Sequence, residues 1–151
     1  MALPFTSCRL FEIVQEKYIG ANEAREAETK ELMNSFDNKD AERLKGMFCK
    51  TTAVSPDIDK QIQNGINFIH GKIISHGSVL GGSSESWEHG RRTFLNISPH
   101  IPDIKTDAKK KYYIHFFDDV VCTAHRDYEG ISDIVITASN GQKCEIGKYI
   151  K

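Results

Sequence analysis

KYYIHFFDDVV, residues 111–121, holds the side chains best suited to chemistry. In an extended segment, alternate side chains point to opposite faces, so Tyr113, His115 and Phe117 share one side. An imidazole or carboxylate whose pKa is tuned by apolar surroundings can move a proton beside a carbonyl, and a phenol can donate to the developing oxyanion. His115 is therefore the candidate catalytic base, with Asp118 or Tyr113 as its partner. The more ordinary roles compete with this reading. A histidine among aromatic residues on a strand is commonly a hydrogen-bonded structural group, and Asp118-Asp119 reads as a strand end facing water.

No other constellation offers a reaction. The six histidines (His70, His76, His89, His100, His115 and His125) form neither HxH nor HExxH, so neither a metal nor a cofactor is expected. Cys8, Cys49, Cys122 and Cys144 contain no CxxC. Cys122 and Cys144 could bridge two strands, although free buried thiols fit as well. Gly81-Gly82-Ser83-Ser84 lacks the spacing and lysine of a phosphate loop and reads as a connection. Asn96-Ile97-Ser98 spells a glycosylation sequon inside a strand. The formal net charge of -1 gives no bulk case for nucleic acid. The run Lys109-Lys110-Lys111 reads as a solvated hairpin tip.

The elements that position these groups change character midway. Residues 22–36 are rich in helix formers, with Leu32, Met33 and Phe36 inward. Asp37-Asn38-Lys39-Asp40 breaks that helix: Asp37 or Asn38 can cap the next, and Asp40 favours its positive end. Ala41, Leu44, Met47 and Phe48 form the inner face of the second helix. Ser55 caps a third, Pro56 opens it, Ile58, Ile62, Ile66 and Ile69 make one stripe, and Gly71 closes it. From Lys72 the pattern is of strands: Ile73-Ile74, then, after a Gly/Ser connection, SWEHGRRTFLNIS, IPDIKT, KYYIHFFDDVVCTA, ISDIVITA and KCEIGKYI. Asn140-Gly141 marks a hairpin between the last two. The strand around His115 is apolar on both sides and is expected to be central and covered on both faces. The layout is α+β, three N-terminal helices packed on a curved antiparallel sheet. At 151 residues a single domain spanning 21–151 is expected.

ETKELMNSFDNKDAERLKGMFCKTT resembles the helix–turn–helix opening of nuclear-transport-factor-two-like (cystatin-like) domains. NSFDNKDAERLKGMF, SPDIDKQIQNGINFIHGKIIS, GGSSES and KTDAKKKYYIHFFDDVV followed by EGISDIVI together resemble a bacterial lipoprotein family of unknown function with that fold. The resemblance spans about residues 21–138. It implies a cone-shaped domain with a pocket between sheet and helices. Trp87, Tyr113, His115 and Phe117 are then the candidate pocket residues, with Asp103, Asp118 and Asp119 nearby. For Trp87, core or dimer packing is the ordinary alternative. The resemblance also implies export and lipidation, and no catalytic residues.

Residues 1–20 bear on that implication. Phe5-Thr6-Ser7-Cys8 fits the end of a lipobox, apart from Phe5. A signal would need a basic segment and an apolar stretch before it. Cys8 is thus the candidate lipidation site of a signal remnant, or an incidental cysteine. Leu10, Phe11, Val14 and Tyr18 follow at helical spacing and fit a short lead-in helix. The expected function is a non-catalytic binding or interaction domain on an envelope-anchored lipoprotein, holding a small ligand or protein partner and forming a homodimer through an open sheet face. Nucleic acid is not an expected partner, and a lipid anchor is the expected link to a membrane. The alternatives are a small isomerase-, hydratase- or cyclase-like enzyme using His115, and a cytosolic accessory protein.

Overall fold

The computed structural model describes residues 20–150. The expectations for Cys8 and for Leu10 to Tyr18 lie outside these residues. Among the described residues four helices precede six strands. The helices are α1 (Ala21–Asp37), α2 (Ala41–Met47), α3 (Lys50–Ala53) and α4 (Ile58–Phe68). The strands are β1 (Ile73–Ser75), β2 (Leu80–Glu88), β3 (Arg91–Thr106), β4 (Lys111–Cys122), β5 (Gly130–Ala138) and β6 (Lys143–Gly147).

Helix α1 buries Ala24, Leu32, Met33 and Phe36. Past its end, Lys39 adopts φ 51° and the chain reverses. Asp40, rather than Asp37 or Asn38, caps α2, accepting from the Arg43 N–H at 3.0 Å. Asp37 instead accepts from the Ile73 N–H at 2.9 Å and ties α1 to the first strand. The one-turn helix α3 was not legible in the sequence, because four residues carry no periodicity. Helix α4 starts at Ile58 rather than Pro56: the Ser55 carbonyl accepts from the Ile58 N–H in a preceding turn, and Asp57 is the cap residue. Its stripe of Ile58, Ile62 and Ile66 is buried. Gly65 lets it sit close to the sheet, since a Cβ there would lie 2.3 Å from Ile146 Cδ1.

The antiparallel, curved sheet runs β1–β3–β4–β5–β6, with β2 also on β3. Strand β2 pairs with residues 91–100 of β3, and β1 with Lys105 and Thr106 farther along it. The Gly/Ser stretch expected to be a connection is therefore strand β2. Backbone pairing to β3 holds it, while its side chains are mostly exposed and leave no apolar pattern to read. The two strands expected from SWEHGRRTFLNIS and IPDIKT divide differently. His89 and Gly90, both at positive φ, form the β2–β3 turn, and β3 continues unbroken through Pro99 and Pro102. A bulge between Ile101 and Ile104 absorbs the irregularity, with Asp103 at φ 52°.

Helices cover one face of the sheet. The main core joins Leu32, Phe36, Leu44, Ile62 and Ile66 to Ile101, Ile114, Phe116, Ile134, Ile136 and Ile146. A second cluster joins Ala24 to Leu95, Ile97, Val120 and Val121. Truncating one of these larger side chains to alanine costs about 2–5 kcal/mol. Buried core side chains pack between these helices and the sheet, and among the described residues helices cover one face of the central strand β4.

Candidate functional site

The face turned away from the helices carries the sheet's concentrated chemistry. Cross-strand register sets it in rows. Tyr113, Thr137 and Lys143 form one row, and His100, His115, Val135 and Glu145 the next. Phe117, Asp133 and Gly147 form a third. Alternation along β4 puts Lys111 and Asp119 at the two ends of the same face.

The His100 and His115 rings stack with centroids 3.9 Å apart and planes 11° from parallel. Tyr113's hydroxyl hydrogen-bonds His100 Nδ1. Phe117 meets His115 edge-on at 4.5 Å, and Tyr149 meets Phe117 at 4.7 Å. The result is one continuous row of rings. His115 Nε2 is buried without a hydrogen-bond partner. Burial holds the His115 pKa below the usual histidine value, and the neighbouring His100 adds to the effect. Burial also raises the Tyr113 phenol.

Beside the rings lies a carboxyl pair. Asp133 is 5% exposed. Its pKa is raised to about 7, first by burial and then by Glu145. Asp133 Oδ1 is buried without a hydrogen-bond partner. Asp119 is half-buried and accepts from Asn96 Nδ2 at 2.7 Å. Burial raises its pKa against that hydrogen bond.

Tyr113, His115 and Phe117 do share a face, as alternation requires. It is the open face, so they line no space between helices and sheet. Trp87 stands apart on β2, 58% exposed, with the Arg92 guanidinium 5.7 Å from its ring. Asp103 occupies the β3 bulge. Asp118 neither ends a strand nor meets water: it points inward on β4 and is 2% exposed. Burial and the adjacent Glu28 carboxyl hold Asp118 well above the usual carboxylate range. His115 and Asp118 thus lie on opposite faces and cannot act as a pair.

Cys49, Cys122 and Cys144 are free thiols, Cys122 buried and Cys144 half-buried. Among the described residues, no three His, Cys, Asp or Glu side chains gather as metal ligands. No helix there is long and apolar enough to cross a membrane. An open groove of about 380 Å³ lies between α1 and β1, walled by Met33, Ile73, Ile74 and Val79, and it is lined by none of the face residues named above.

His100, Asp133, Glu145 and Tyr149 escaped the sequence reading. Placing His100 beside His115 needs the register across the β3 bulge. The Asn140-Gly141 turn did offer a signal for Glu145, because a tight hairpin fixes which β6 residues face β5.

No curated protein matches the chain. A family model described as "Domain of unknown function (DUF5104)" matches residues 31–139, from mid-α1 to just past β5. That span takes in both histidines of the stack, the Asp133 carboxyl and most of the helical core, and by it the chain belongs to the DUF5104 family.

Proposed function

We propose that this chain is a non-catalytic interaction domain that docks protein through the open sheet face, with a second copy of itself as the occupant. The observation carrying the reading is the continuous row Tyr113–His100–His115–Phe117–Tyr149, which no described helix covers. Ring surface removed from water on contact is the driving force.

Charge complementarity favours a second copy. Lys105, Lys111 and Lys143 lie at the end of the face nearest the 107–110 and 139–142 turns. Asp119, Asp133 and Glu145 lie from the second row onward. A two-fold axis running across the strands sets the lysine end of one copy over the acidic region of the other.

The finer fold reading is nuclear-transport-factor-two-like, supported by helices first and a curved antiparallel sheet after. The resemblance to exported lipoproteins supports an envelope-anchored protein lipidated at Cys8, with a cytosolic accessory protein as the alternative. The proton-transfer alternative draws less support, because His115 lies outside the helix–sheet interior and Asp118 within it.

Sedimentation of the full chain over a concentration series tests the reading. A reversible dimer is expected, with Phe117→Glu monomeric and still folded by circular dichroism. Wild type that stays monomeric at the highest soluble concentration overturns it.

A further inference from the structure

We infer that the open face is an acid-opened interface: the stacked His100–His115 pair and the Asp133–Glu145 pair let two copies associate near neutral pH and drive them apart in mild acid. The inference rests on the reading of this face as a contact between two copies.

Geometry supplies the first half. Two imidazoles 3.9 Å apart and nearly parallel bring two cations face to face when both are protonated. His100 Nδ1 is already engaged by the Tyr113 hydroxyl. A proton on the buried Nε2 of His115 finds no acceptor. The stack is therefore built for the neutral state.

The surrounding charges supply the second half. Strand β3 contributes His100 and Lys105 to this face, and β4 contributes Lys111, Tyr113 and Asp119. Strand β5 contributes Asp133, and β6 contributes Lys143 and Glu145. Tyr149 follows β6 and packs on Phe117. From β2, Leu80 pairs with His100 and carries no charge. Above about pH 7, where Asp133 is ionised, Lys105, Lys111 and Lys143 are matched by Asp119, Asp133 and Glu145. Acid adds positive charge at the ring stack and removes negative charge at Asp133, whose ionisation centres on about 7. Both changes leave the face positive, and like faces repel. Equivalently, association favours neutral His115 and ionised Asp133, so it releases protons, and the dimer Kd rises as pH falls.

Sedimentation velocity of the full chain at about pH 7.5 and about pH 5.5, with circular dichroism at both, tests this. The wild-type Kd is expected to rise at least ~10-fold in acid with the fold retained. The triple variant His100→Phe/His115→Phe/Asp133→Asn, which keeps flat rings in the row and removes the titrating groups, is expected to dimerise with most of that pH dependence lost, and a variant monomeric at both pH values overturns the inference. A wild-type dimer of equal Kd at both pH values overturns the inference and leaves the interaction reading standing. Monomer at both pH values overturns the reading and the inference with it. Dissociation that accompanies loss of the folded signal, or that persists in the folded triple variant, assigns the effect elsewhere and overturns the inference alone.

Discussion

The imidazoles of His100 and His115 stack at 3.9 Å from neighbouring strands, and His115 Nε2 is buried there without a partner. An unsatisfied buried polar atom is a standing cost in the folded state, of about 1–3 kcal/mol.

That cost gives the first prediction. His115→Phe removes the orphan nitrogen and keeps a flat ring against His100 and Phe117. Its unfolding free energy is expected to equal or exceed the wild-type value by up to about 1 kcal/mol at neutral pH. Urea denaturation measures it, and a loss of more than about 1 kcal/mol means the imidazole makes a bond that the stack does not reveal.

Asp133 sets a pH dependence of stability. Its folded pKa of about 7 lies above the ordinary carboxylate value, so the native state holds a proton that the unfolded chain releases. The associated stability is fully present below about pH 4 and is lost as pH rises through about 7. Asp133→Asn is expected to be more stable than wild type near pH 8, by about 1 kcal/mol after solvent screening, and nearly equal near pH 4. Chemical denaturation at the two pH values checks the crossover, and a constant difference would contradict it.

Gly130 sits at φ 118°, where a Cβ would lie 2.8 Å from the Cys49 backbone nitrogen and 3.0 Å from the Met47 carbonyl oxygen. The clash is with backbone, at the point where Phe48 bridges Ile131. Gly130→Ala is expected to cost about 2–4 kcal/mol. Thermal unfolding reads it, and an unchanged midpoint would show that the segment between α2 and α3 yields easily.

Charge reversal probes the layout of the open face. Lys143→Glu removes a cation from the lysine end and should weaken self-association at least ~10-fold at low salt, with less effect at high salt. Sedimentation at two ionic strengths tests it, and a Kd insensitive to the change would remove charge complementarity from the picture.

Much of this architecture was legible from periodicity. The Ile58–Ile62–Ile66 stripe, the Asp37–Asp40 break and the 140–141 turn each announce an element through a local rule. Strand β2 was illegible because glycine and serine exposed on both sides carry no apolar alternation. The open face was half legible. Alternation puts Tyr113, His115 and Phe117 together, but a strand with aromatic residues on both sides does not reveal which side meets the helices. That choice was made at Asp118, which lies with the helix-facing residues and leaves His115 outside. His100 depended on a bulge, and one-residue irregularities leave no composition signal.

The inward carboxyl of Asp118, held beside Glu28 under α1, has a thermodynamic signature of its own. At a pH between the ordinary carboxylate value and its raised folded one, the unfolded chain carries that side chain ionised and the folded chain holds it protonated. Folding therefore draws hydrogen ions from the medium, and the heat measured on unfolding includes the ionisation enthalpy of whatever buffer takes them back. Calorimetry at one pH within that range, in two buffers of unlike ionisation enthalpy, should give different apparent enthalpies for the same transition, and the gap counts the ions exchanged.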